Sequence, residues 1–599
     1  MMPANDILLV LRFWGALFFV GSIAYPLTKV LFGRARHHEM DPRWSLPRTL
    51  MRGEDDNKKA GRATRSPDVH RGGVWPASHD LRSMTGWWDD GYFFSKAVGM
   101  ATVTFGVFVL GSLNILPFGI VSIAISMGIT VILGLVGNLL DSSKLPPTHK
   151  ASGGHSKAQS SKLVVQSAKL REWVKKILLI TLEEGIFLGL LIFWAWIKGH
   201  EPSIHGLEKF MDFGFTKSIL NGGFFPPRDI WYSGFTINYY YFGHTTLAVL
   251  TKLSGLDLAV TFNLILATLF SLCFTMAGSI GAQLTLLICK DSPCKPARRV
   301  LAIRAIVSWL LTGFFVTLAG NMQTIYAFTR GYTGDNVKPF WQLLWNSGEF
   351  MKRLPEGLNT YWYANATRFI PFTIHEFPSY SFVVSDIHGH VLSIPFALLA
   401  IGMLIRMFGS GIHKDNFQLS IFNFQSIFQI SNFKFQIVFY GFLCGVLFMT
   451  NALDGPIYLG LFVILLVVLR WKMTDERNMM RGGWKSAILF SILCVISAGI
   501  TALPFILHFK PFVTGIGVNC PPAFLANHKI GPFLFETIDK CQHSPLWMWW
   551  LLWGFFVFAG GGWIVSKVKS LSNSRTYTPL SSRDRSDGVA ISHPYEIAA

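Results

Sequence analysis

Two acidic residues, Glu208 and Asp212, stand four positions apart in the string H-E-P-S-I-H-G-L-E-K-F-M-D. On a helix this spacing puts both carboxylates on one face, where like charges repel unless a cation or a substrate offsets them. The pair therefore predicts a divalent-metal site or a general base. The alternative is a solvated helix face beside a membrane, which is the commoner origin of an isolated E-x-x-x-D.

A second group of ionisable residues stands where a polar segment enters an apolar one, in the string S-D-I-H-G-H-V. Asp386, His388 and His390 alternate, so in an extended segment their side chains point to one side. Carboxylate with imidazole suits a metal ion, and His388 oriented by Asp386 could instead act as an acid or base. Structurally, Asp386 could simply cap a helix. The spacing leaves these alternatives open.

Other polar and aromatic residues accompany the two motifs. Arg228 follows a Pro-Pro turn and offers a bidentate donor for phosphate. Ionisable groups close to hydrocarbon are usually functional, although the aromatic residues also fit an interfacial belt. Walker, G-x-S-x-G and Rossmann motifs are absent from the sequence, which disfavours an ATP-driven pump and a serine hydrolase. We expect these residues to bind substrate: Arg228, Asp229, Tyr239, Tyr240, Tyr241, His244, Arg368, Glu376 and Asp454.

The elements that position these residues are membrane spans. Of 599 residues, 51% are hydrophobic and only 15% are charged, and the apolar residues fall in blocks of about twenty. In hydrocarbon every backbone polar group must be paired internally, so the spans are helices. The sequence predicts an all-α, polytopic integral membrane helix bundle. The net charge of +19 is spread over short polar segments between apolar blocks, which disfavours nucleic acid as a partner.

The apolar blocks predict about eleven transmembrane helices, and Lys and Arg in the short loops orient them. If every basic loop is cytoplasmic, the N-terminus lies outside and the C-terminus inside. This rule requires two short helices within 437–470, turning at 451–456, because one long helix would put the basic loop 470–485 outside. A further apolar stretch, 242–253, is too short to span and predicts an interfacial or re-entrant helix. The predicted spans are 8–31, 94–113, 117–140, 177–198, 257–288, 304–321, 388–407, 437–450, 455–470, 486–506 and 546–566.

The polar segments complete the predicted organisation. The first helix occupies 1–33, and 34–88 and 567–599 have the composition of disordered cytoplasmic segments. The membrane domain, 89–566, contains three large extracytoplasmic loops, 199–256, 322–387 and 507–545, and a low-complexity insertion, 416–436. The third loop contains Cys520 and Cys541, where a disulfide could persist, but the sequence does not decide whether they pair.

Four strings together resemble a known family: E-K-F-M-D-F, F-F-P-P-R-D-I-W-Y-S-G, N-Y-Y-Y-F-G-H and E-F-P…S-D-I-H-G-H-V. The family comprises very hydrophobic bacterial and archaeal membrane proteins, is named for its Tyr-Tyr-Tyr motif, and has a domain of unknown function. The resemblance runs from about residue 89 to the last span. The chain departs from the family pattern at Gly389, where the pattern has Pro, and at Leu453, where it has Trp. Neither departure removes an ionisable group.

That family is similar in architecture to the multi-span (GT-C type) glycosyltransferases that use polyprenyl-phosphate sugars. The resemblance implies a glycosyltransferase at the extracytoplasmic face, in contact with membrane lipid and a polyprenyl-phosphate-linked sugar. Glu208, Asp212, Asp386 and His388 would be catalytic. Arg228, Arg368 or a divalent metal, Mg²⁺ or Mn²⁺, would stabilise the departing phosphate. Asp386, His388 and His390 would hold that metal.

Two other functions stay open. One is a lipid or glycan transporter or flippase, which predicts internal repeats and broken helices with polar residues at mid-membrane. The sequence shows no repeat and few charges within the spans, which disfavours it. The other is a non-catalytic membrane protein of unknown function, in which the acidic and histidine motifs only cap helices.

Overall fold

The structure is a computed structural model. It describes residues 2–33, 86–142, 155–206, 208–290, 297–328, 338–342, 355, 363–371, 373–409, 432–474, 483–511, 515–541 and 543–576. Most of the predicted disordered segments 34–88 and 567–599, and of the insertion 416–436, lies outside these residues, so those predictions stay untested there. Where the segments are described, they are ordered: Trp87 is fully buried, and the last helix continues to Thr576.

The chain divides into two compact units, Met1–Ala319 with Ser381–Thr514, and Gly320–Tyr380 with Gly515–Ala599. α9, Pro378–Val384, contains one boundary between them. The helices of the first unit are α1 Ala4–Phe32, α2 Ser95–Ser112, α3 Ile120–Ser142, α4 His155–Lys198, α5 Lys209–Asn221, α6 Phe242–Ser254, α7 Leu258–Lys290, α8 Arg298–Thr317, α10 Gly389–Leu392, α11 Ile394–Phe408, α12 Asn432–Thr450, α13 Asp454–Thr474 and α14 Gly483–Ile506.

The predicted helical membrane bundle is confirmed. Among the described residues, ten helices are long and apolar enough to cross a membrane, and Asp454–Leu469 of α13 is a shorter apolar helix. The predicted hairpin is present, since α12 ends at Thr450 and α13 begins at Asp454. The predicted span 177–198 is only the apolar end of the 44-residue helix α4. Hydropathy identifies only the apolar part of a helix, whereas the helical backbone hydrogen bonds continue into the polar residues before it.

Small residues let the spans of the first unit pack closely, as is common where lipid removes the hydrophobic drive between helices. A side chain on Gly99 of α2 would collide with the backbone of Val20 in α1. Gly441 and Gly445 of α12 meet α14 in the same way, against Cys494 and Thr501.

The short helix α6 is re-entrant in character rather than interfacial. Its residues from Phe242 to Thr251 are all buried, and it packs against α1, α2, α5 and α12. The helix ends at Gly255, whose φ of 62° is left-handed and favours glycine. Arg12 of α1 donates from Nε to the Ser254 carbonyl at 2.7 Å and from a terminal nitrogen to the Gly255 carbonyl at 3.3 Å. This cation satisfies the carbonyl end of the buried helix.

The second unit comprises parts of the predicted loops 322–387 and 507–545 with the last helix, α15, Leu546–Thr576. It contains a small three-stranded sheet that the sequence did not predict. β1, Ile516–Val518, runs parallel to β3, Phe533–Phe535, and β2, Lys529–Ile530, runs antiparallel to β3. A disulfide joins Cys520 to Cys541, so the pairing that the sequence left open does form. These strands are too short and too exposed for a hydropathy pattern to reveal.

Candidate functional site

The first motif begins the helix α5. Glu208 is the residue before its first turn, and its carbonyl accepts the N–H groups of Met211 and Asp212. Although four positions separate the two carboxylates, their surroundings differ: the Glu208 side chain is 67% exposed, whereas that of Asp212 is 1% exposed. The predicted shared solvated face is therefore wrong. One acid reaches solvent and the other is enclosed in the bundle.

The enclosed acid has a partner on the re-entrant helix. His244, in the first turn of α6, is fully buried and donates from Nε2 to Oδ1 of Asp212 at 2.8 Å. Phe215 packs edge-on against the imidazole, with ring centroids 5.7 Å apart. The second oxygen of Asp212, Oδ2, is also buried and has no hydrogen-bond partner. A buried carboxylate oxygen without a donor is costly, so a cation or a donating ligand would be favoured there.

The second motif is predicted to be extended throughout but is extended only in part: His388 has extended backbone, whereas His390 already lies in the helix α10. Ser385 has a φ of 65°, an uncommon value for a residue with a side chain, and it turns the chain just before Asp386. Oδ1 of Asp386 then accepts the backbone N–H of His388 at 3.3 Å and hydrogen-bonds to its Nδ1. α10 begins one residue later. Asp386 therefore fixes both the turn and the orientation of the imidazole.

The two motifs meet at His388. Its Nδ1 lies 3.5 Å from the unpaired Oδ2 of Asp212, and its Nε2 hydrogen-bonds to Glu208. The imidazole is 15% exposed, intermediate between the exposed and the enclosed acid. We call these five residues the carboxylate–imidazole cluster: Glu208, Asp212, His244, Asp386 and His388. Three carboxylates from two distant segments thus surround one imidazole.

The electrostatics of the cluster favour a protonated His388. Burial disfavours the charge, but the hydrogen bond to Asp386 and the charge of Asp212 outweigh it and raise the pKa of His388 to about 10. Burial likewise acts to raise the pKa of Asp386, yet the hydrogen bond and charge of His388 lower it below its usual value. With acceptors on both ring nitrogens, both N–H groups of the imidazolium are used.

The cluster can also hold a metal ion. One ligand atom each from Asp212, Asp386 and His388 lies within 4.8 Å of the other two. Oxygen and nitrogen donors of this kind suit Mn²⁺, and the charge of three carboxylates exceeds that of one imidazolium. A metal would take the place of the proton on Nδ1 of His388, because metal ligands must be deprotonated. This group adds Asp212 to the predicted ligands Asp386 and His388, and metal binding by His390 stays a prediction. Nε2 of His390 lies 3.4 Å from the hydroxyl of Ser381.

Two contacts position the turn that carries His388. A side chain on Gly389 would collide with the carbonyl oxygen of Thr450 at the end of α12, so the departure from the family pattern coincides with a close backbone approach. Ser393, at the break between α10 and α11, donates to the carboxylate of Asp454 at 2.5 Å. Asp454 thereby ties the first turn of α13 to this break. A role for it in substrate binding stays a prediction.

The Tyr-Tyr-Tyr residues have three different surroundings. Burial and then the charge of Asp212 raise the pKa of Tyr239 to about 12, so its hydroxyl lies in the field of the cluster. Tyr240 packs against Phe509, with ring centroids 5.0 Å apart. Tyr241 is buried in the core of the first unit. Of the three, Tyr239 is the one placed to affect chemistry.

The sequence also predicts substrate binding by Arg228, Asp229, Arg368 and Glu376. Asp229 accepts the N–H groups of Trp231 and Tyr232 through Oδ1, and the side chain of Arg228 is exposed. In the described part of the chain, no hydrogen bond or ion pair joins either residue to the cluster. Arg368 and Glu376 belong to the second unit, where both side chains are exposed. Substrate binding by these four residues stays a prediction.

Sequence reasoning missed the part of Lys209. Its side chain is buried beside the cluster, where burial lowers its pKa although the charges of Glu201 and Asp386 oppose this effect. Its position directly after Glu208, between the two acids of the first motif, was the available signal. Sequence reasoning also gave His244 a substrate-binding role, whereas the structure pairs it with Asp212.

The fold and the cluster define a polytopic membrane protein with an enclosed polar centre. Residues 102–591 match the model of a family described as uncharacterized membrane protein, DUF2298, and the chain belongs to that family. No curated protein and no solved structure matches the chain.

Proposed function

We propose that the protein is a membrane glycosyltransferase that acts at the extracytoplasmic face on a polyprenyl-phosphate-linked sugar. The observation that carries this proposal is the convergence of Glu208, Asp212 and Asp386 on one imidazole. The three acids have unequal exposure, as a site needs when one group must meet a substrate and others must stay fixed. Residues of this kind, at the end of a bundle of spans, suit a lipid-linked substrate whose reacting group lies at the headgroup plane.

The reaction needs a base for the acceptor hydroxyl. Glu208 is the acid of the cluster that solvent reaches, so it would accept the proton of the acceptor O–H. The acceptor oxygen would then form a bond to the anomeric carbon of the sugar as the bond from that carbon to the phosphate oxygen breaks. The bonding electrons would leave with the polyprenyl phosphate. Asp212, held by His244, would keep its charge and position throughout.

The departing phosphate needs positive charge. His388 supplies it as the imidazolium that its raised pKa favours. Where a divalent metal is bound by Asp212, Asp386 and His388, that ion would supply the charge instead. Lys209, buried beside Asp386, adds a second cation to the same region. Exposed aromatic residues at 231–235 offer surfaces for a sugar or a polyprenyl chain, among them Trp231 and Tyr232.

The proposed sidedness has two supports. The basic residues of the short loops favour a cytoplasmic location for 141–176, 290–304 and 470–485. The disulfide between Cys520 and Cys541 lies within 507–545, and disulfides persist on the oxidising side of a membrane. Both support an extracytoplasmic location for 507–545, and the basic loops further support an N-terminus outside and a C-terminus in the cytoplasm.

The test is a transfer assay with the full-length protein in lipid vesicles and a panel of short polyprenyl-phosphate sugars, read by mass spectrometry of the products. Wild type should transfer sugar from at least one donor. Glu208→Gln should lower the rate by about 10²- to 10⁴-fold, the usual contribution of a general base. Asp257→Asn, which alters an exposed acid at the start of α7, should leave it unchanged. Wild-type rates in Glu208→Gln, or no transfer from any donor, would contradict the proposal.

A lipid or glycan transporter is the second candidate. The observation in its favour is α6, which is buried in the bundle although it is too short to cross a membrane. Vesicles with a fluorescent polyprenyl-phosphate sugar in the inner leaflet separate the two functions. A transporter would expose the intact lipid to an external quencher, whereas a transferase would release its sugar only when an acceptor is present.

A further inference from the structure

A second polar cluster lies within the spans of the first unit and shares no residue with the carboxylate–imidazole cluster. Lys96 of α2 forms an ion pair with Glu184, near the middle of the span Trp173–Lys198. Glu184 also accepts the hydroxyl of Tyr92 at 2.7 Å and the indole N–H of Trp14 at 3.1 Å. The negative charge of Glu184 is therefore fully compensated.

The neighbouring acid, Glu183, is not compensated in this way. It is 2% exposed, and neither of its carboxylate oxygens has a hydrogen-bond partner. It faces the same cluster, since it interacts electrostatically with Asp89 and Lys96. An ionised carboxylate without a donor inside a bundle is strongly unfavourable, because burial removes its hydration and nothing replaces it. A ligand that brings positive charge would remove this cost.

Two buried hydroxyl groups nearby also lack partners. The hydroxyl oxygen of Tyr25 on α1 is enclosed without a hydrogen bond, and Tyr25 interacts electrostatically with Glu183. Oγ of Ser95 is also buried without a hydrogen-bond partner. It lies beside Gly21, which precedes Tyr25 on α1 by one helical turn. Carboxylate and hydroxyl oxygens are the groups that small, hard cations prefer. The unpaired oxygens of Glu183, Tyr25 and Ser95 are therefore all of the kind that binds such a cation.

Two further acids of this cluster, Asp90 and Asp89, differ in their exposure. Asp90 is 23% exposed and is paired with Lys176 at 2.5 Å. Asp89 is buried and accepts the N–H groups of Gly91 at 2.9 Å and Phe93 at 3.4 Å. Burial raises the pKa of Asp89 to about 7 despite these bonds. A cation entering beside Asp90 would meet Asp89 next and Glu183 last.

The balance of charge around Glu183 allows one or two additional positive charges. Four carboxylates face two ammonium groups, so the ionised cluster carries two surplus negative charges. One ammonium, Lys96, is close to Glu183, and its repulsion disfavours a divalent ion. The titratable and charged groups that interact electrostatically with Glu183 are Tyr25, Asp89, Asp90, Tyr92, Lys96 and Glu184, and Lys176 is paired with Asp90.

We propose that Glu183, with Tyr25 and Asp89, forms a buried binding site for a small monovalent cation, either a proton or an alkali-metal ion. The cation neutralises Glu183 within the packing of α1, α2 and α4. Its occupancy therefore couples the pH or the sodium concentration on the Asp90 side to the stability of the bundle. Intramembrane acids of this kind are rare unless they carry a function.

The experiment is carbodiimide labelling of the full-length protein in detergent, read by mass spectrometry of the peptide that contains Glu183. Dicyclohexylcarbodiimide reacts with protonated carboxyl groups in apolar surroundings and not with ionised acids in water. Wild type should be labelled at Glu183, and the label should be lost in Glu183→Gln. Asp257→Asn, which alters an exposed acid, should be labelled as wild type. Unfolding temperatures of all three proteins are measured in parallel.

The arms of the experiment distinguish the two cations. If the ligand is a proton, labelling falls as pH rises and does not respond to sodium chloride. If it is an alkali-metal ion, sodium chloride at constant pH protects Glu183, whereas choline chloride of the same ionic strength does not. In either case the cation raises the unfolding temperature of wild type and not of Glu183→Gln. A Glu183 that is unlabelled at every pH without sodium, or labelled regardless of both cations, would overturn the proposal.

Discussion

Asp212 and His244 are joined by a 2.8 Å hydrogen bond across 32 residues of sequence, in a part of the bundle that solvent does not reach. The bond links the first turn of α5 to the first turn of the re-entrant helix α6. It also leaves one oxygen of Asp212 directed at His388, 3.5 Å from Nδ1. The geometry of the cluster thus depends on an acid that solvent does not reach.

The first prediction concerns the charge of His388. Because its pKa is raised to about 10, the imidazole should be protonated at neutral pH and resist diethyl pyrocarbonate, which acylates only unprotonated imidazole. Asp386→Asn removes the strongest of the interactions that hold this proton. We expect modification of His388 at pH 7 to increase at least several-fold in Asp386→Asn, measured by peptide mass spectrometry against the exposed His200 in the same sample. Equal modification in both proteins would show that Asp386 does not hold the proton.

The second prediction is a dependence of stability on pH. The folded pKa of His388, about 10, exceeds the value of about 6.5 for an unfolded histidine, so the folded state binds the proton more tightly. The stabilisation is complete below pH 6.5, declines above it, and is lost as pH rises through 10. The unfolding temperature of wild type should therefore fall across this window, and that of His388→Gln should fall less. Parallel curves for the two proteins would contradict the assignment.

The third prediction uses two glycines as a matched pair. Gly389→Ala should destabilise the protein by about 1–3 kcal/mol, because the new methyl group overlaps the Thr450 carbonyl and nothing near it can yield cheaply. Gly460→Ala, within α13, adds the same methyl group where no atom lies within 4 Å, and should be neutral or stabilising by up to about 1 kcal/mol. Chemical unfolding followed by tryptophan fluorescence measures both. The close approach at Gly389 is refuted if the two substitutions behave alike.

The fourth prediction concerns the end of the re-entrant helix. Arg12→Ala removes two hydrogen bonds to carbonyl groups of α6 and should cost about 1–2 kcal/mol. Lys252→Ala removes a positive charge from the last turn of the same helix and should cost less than half as much, since Lys252 is exposed. Both unfolding curves are compared with wild type under one detergent condition. A larger loss of stability in Lys252→Ala than in Arg12→Ala would show that positive charge, and not the two hydrogen bonds of Arg12, stabilises the end of the helix.

The sequence predicts the helical bundle because apolar length and basic loops are strong, local signals. The hairpin between α12 and α13 is the sharpest case. Hydropathy alone permits one long helix over 437–470, and the charges of the loop 470–485 exclude it. The same signals overlook Glu183 and Glu184, because two acids in an otherwise apolar span barely lower its mean hydropathy.

The site could be predicted in part. Glu208, Asp212, Asp386 and His388 were identified from residue type and position, and the structure brings these four side chains together. What spacing could not reveal was the direction of each side chain. The turn at Ser385, with its uncommon φ, rotates the second motif out of the extended arrangement that alternate residues suggested. A tertiary contact between residues 180 positions apart, such as that between Glu208 and His388, produces no periodic pattern in the sequence.

The contact between Arg12 and Ser254 also constrains biogenesis. These residues are 242 positions apart, so α1 leaves the ribosome long before the helix that it caps. Because α6 is too short to cross hydrocarbon, we do not expect it to insert into the membrane by itself. We expect α6 to enter only after the earlier spans, α1 with Arg12 among them, have assembled. Burial of α6 is then a late step of synthesis, and nascent chains that end before residue 254 should leave Arg12 without its two carbonyl partners.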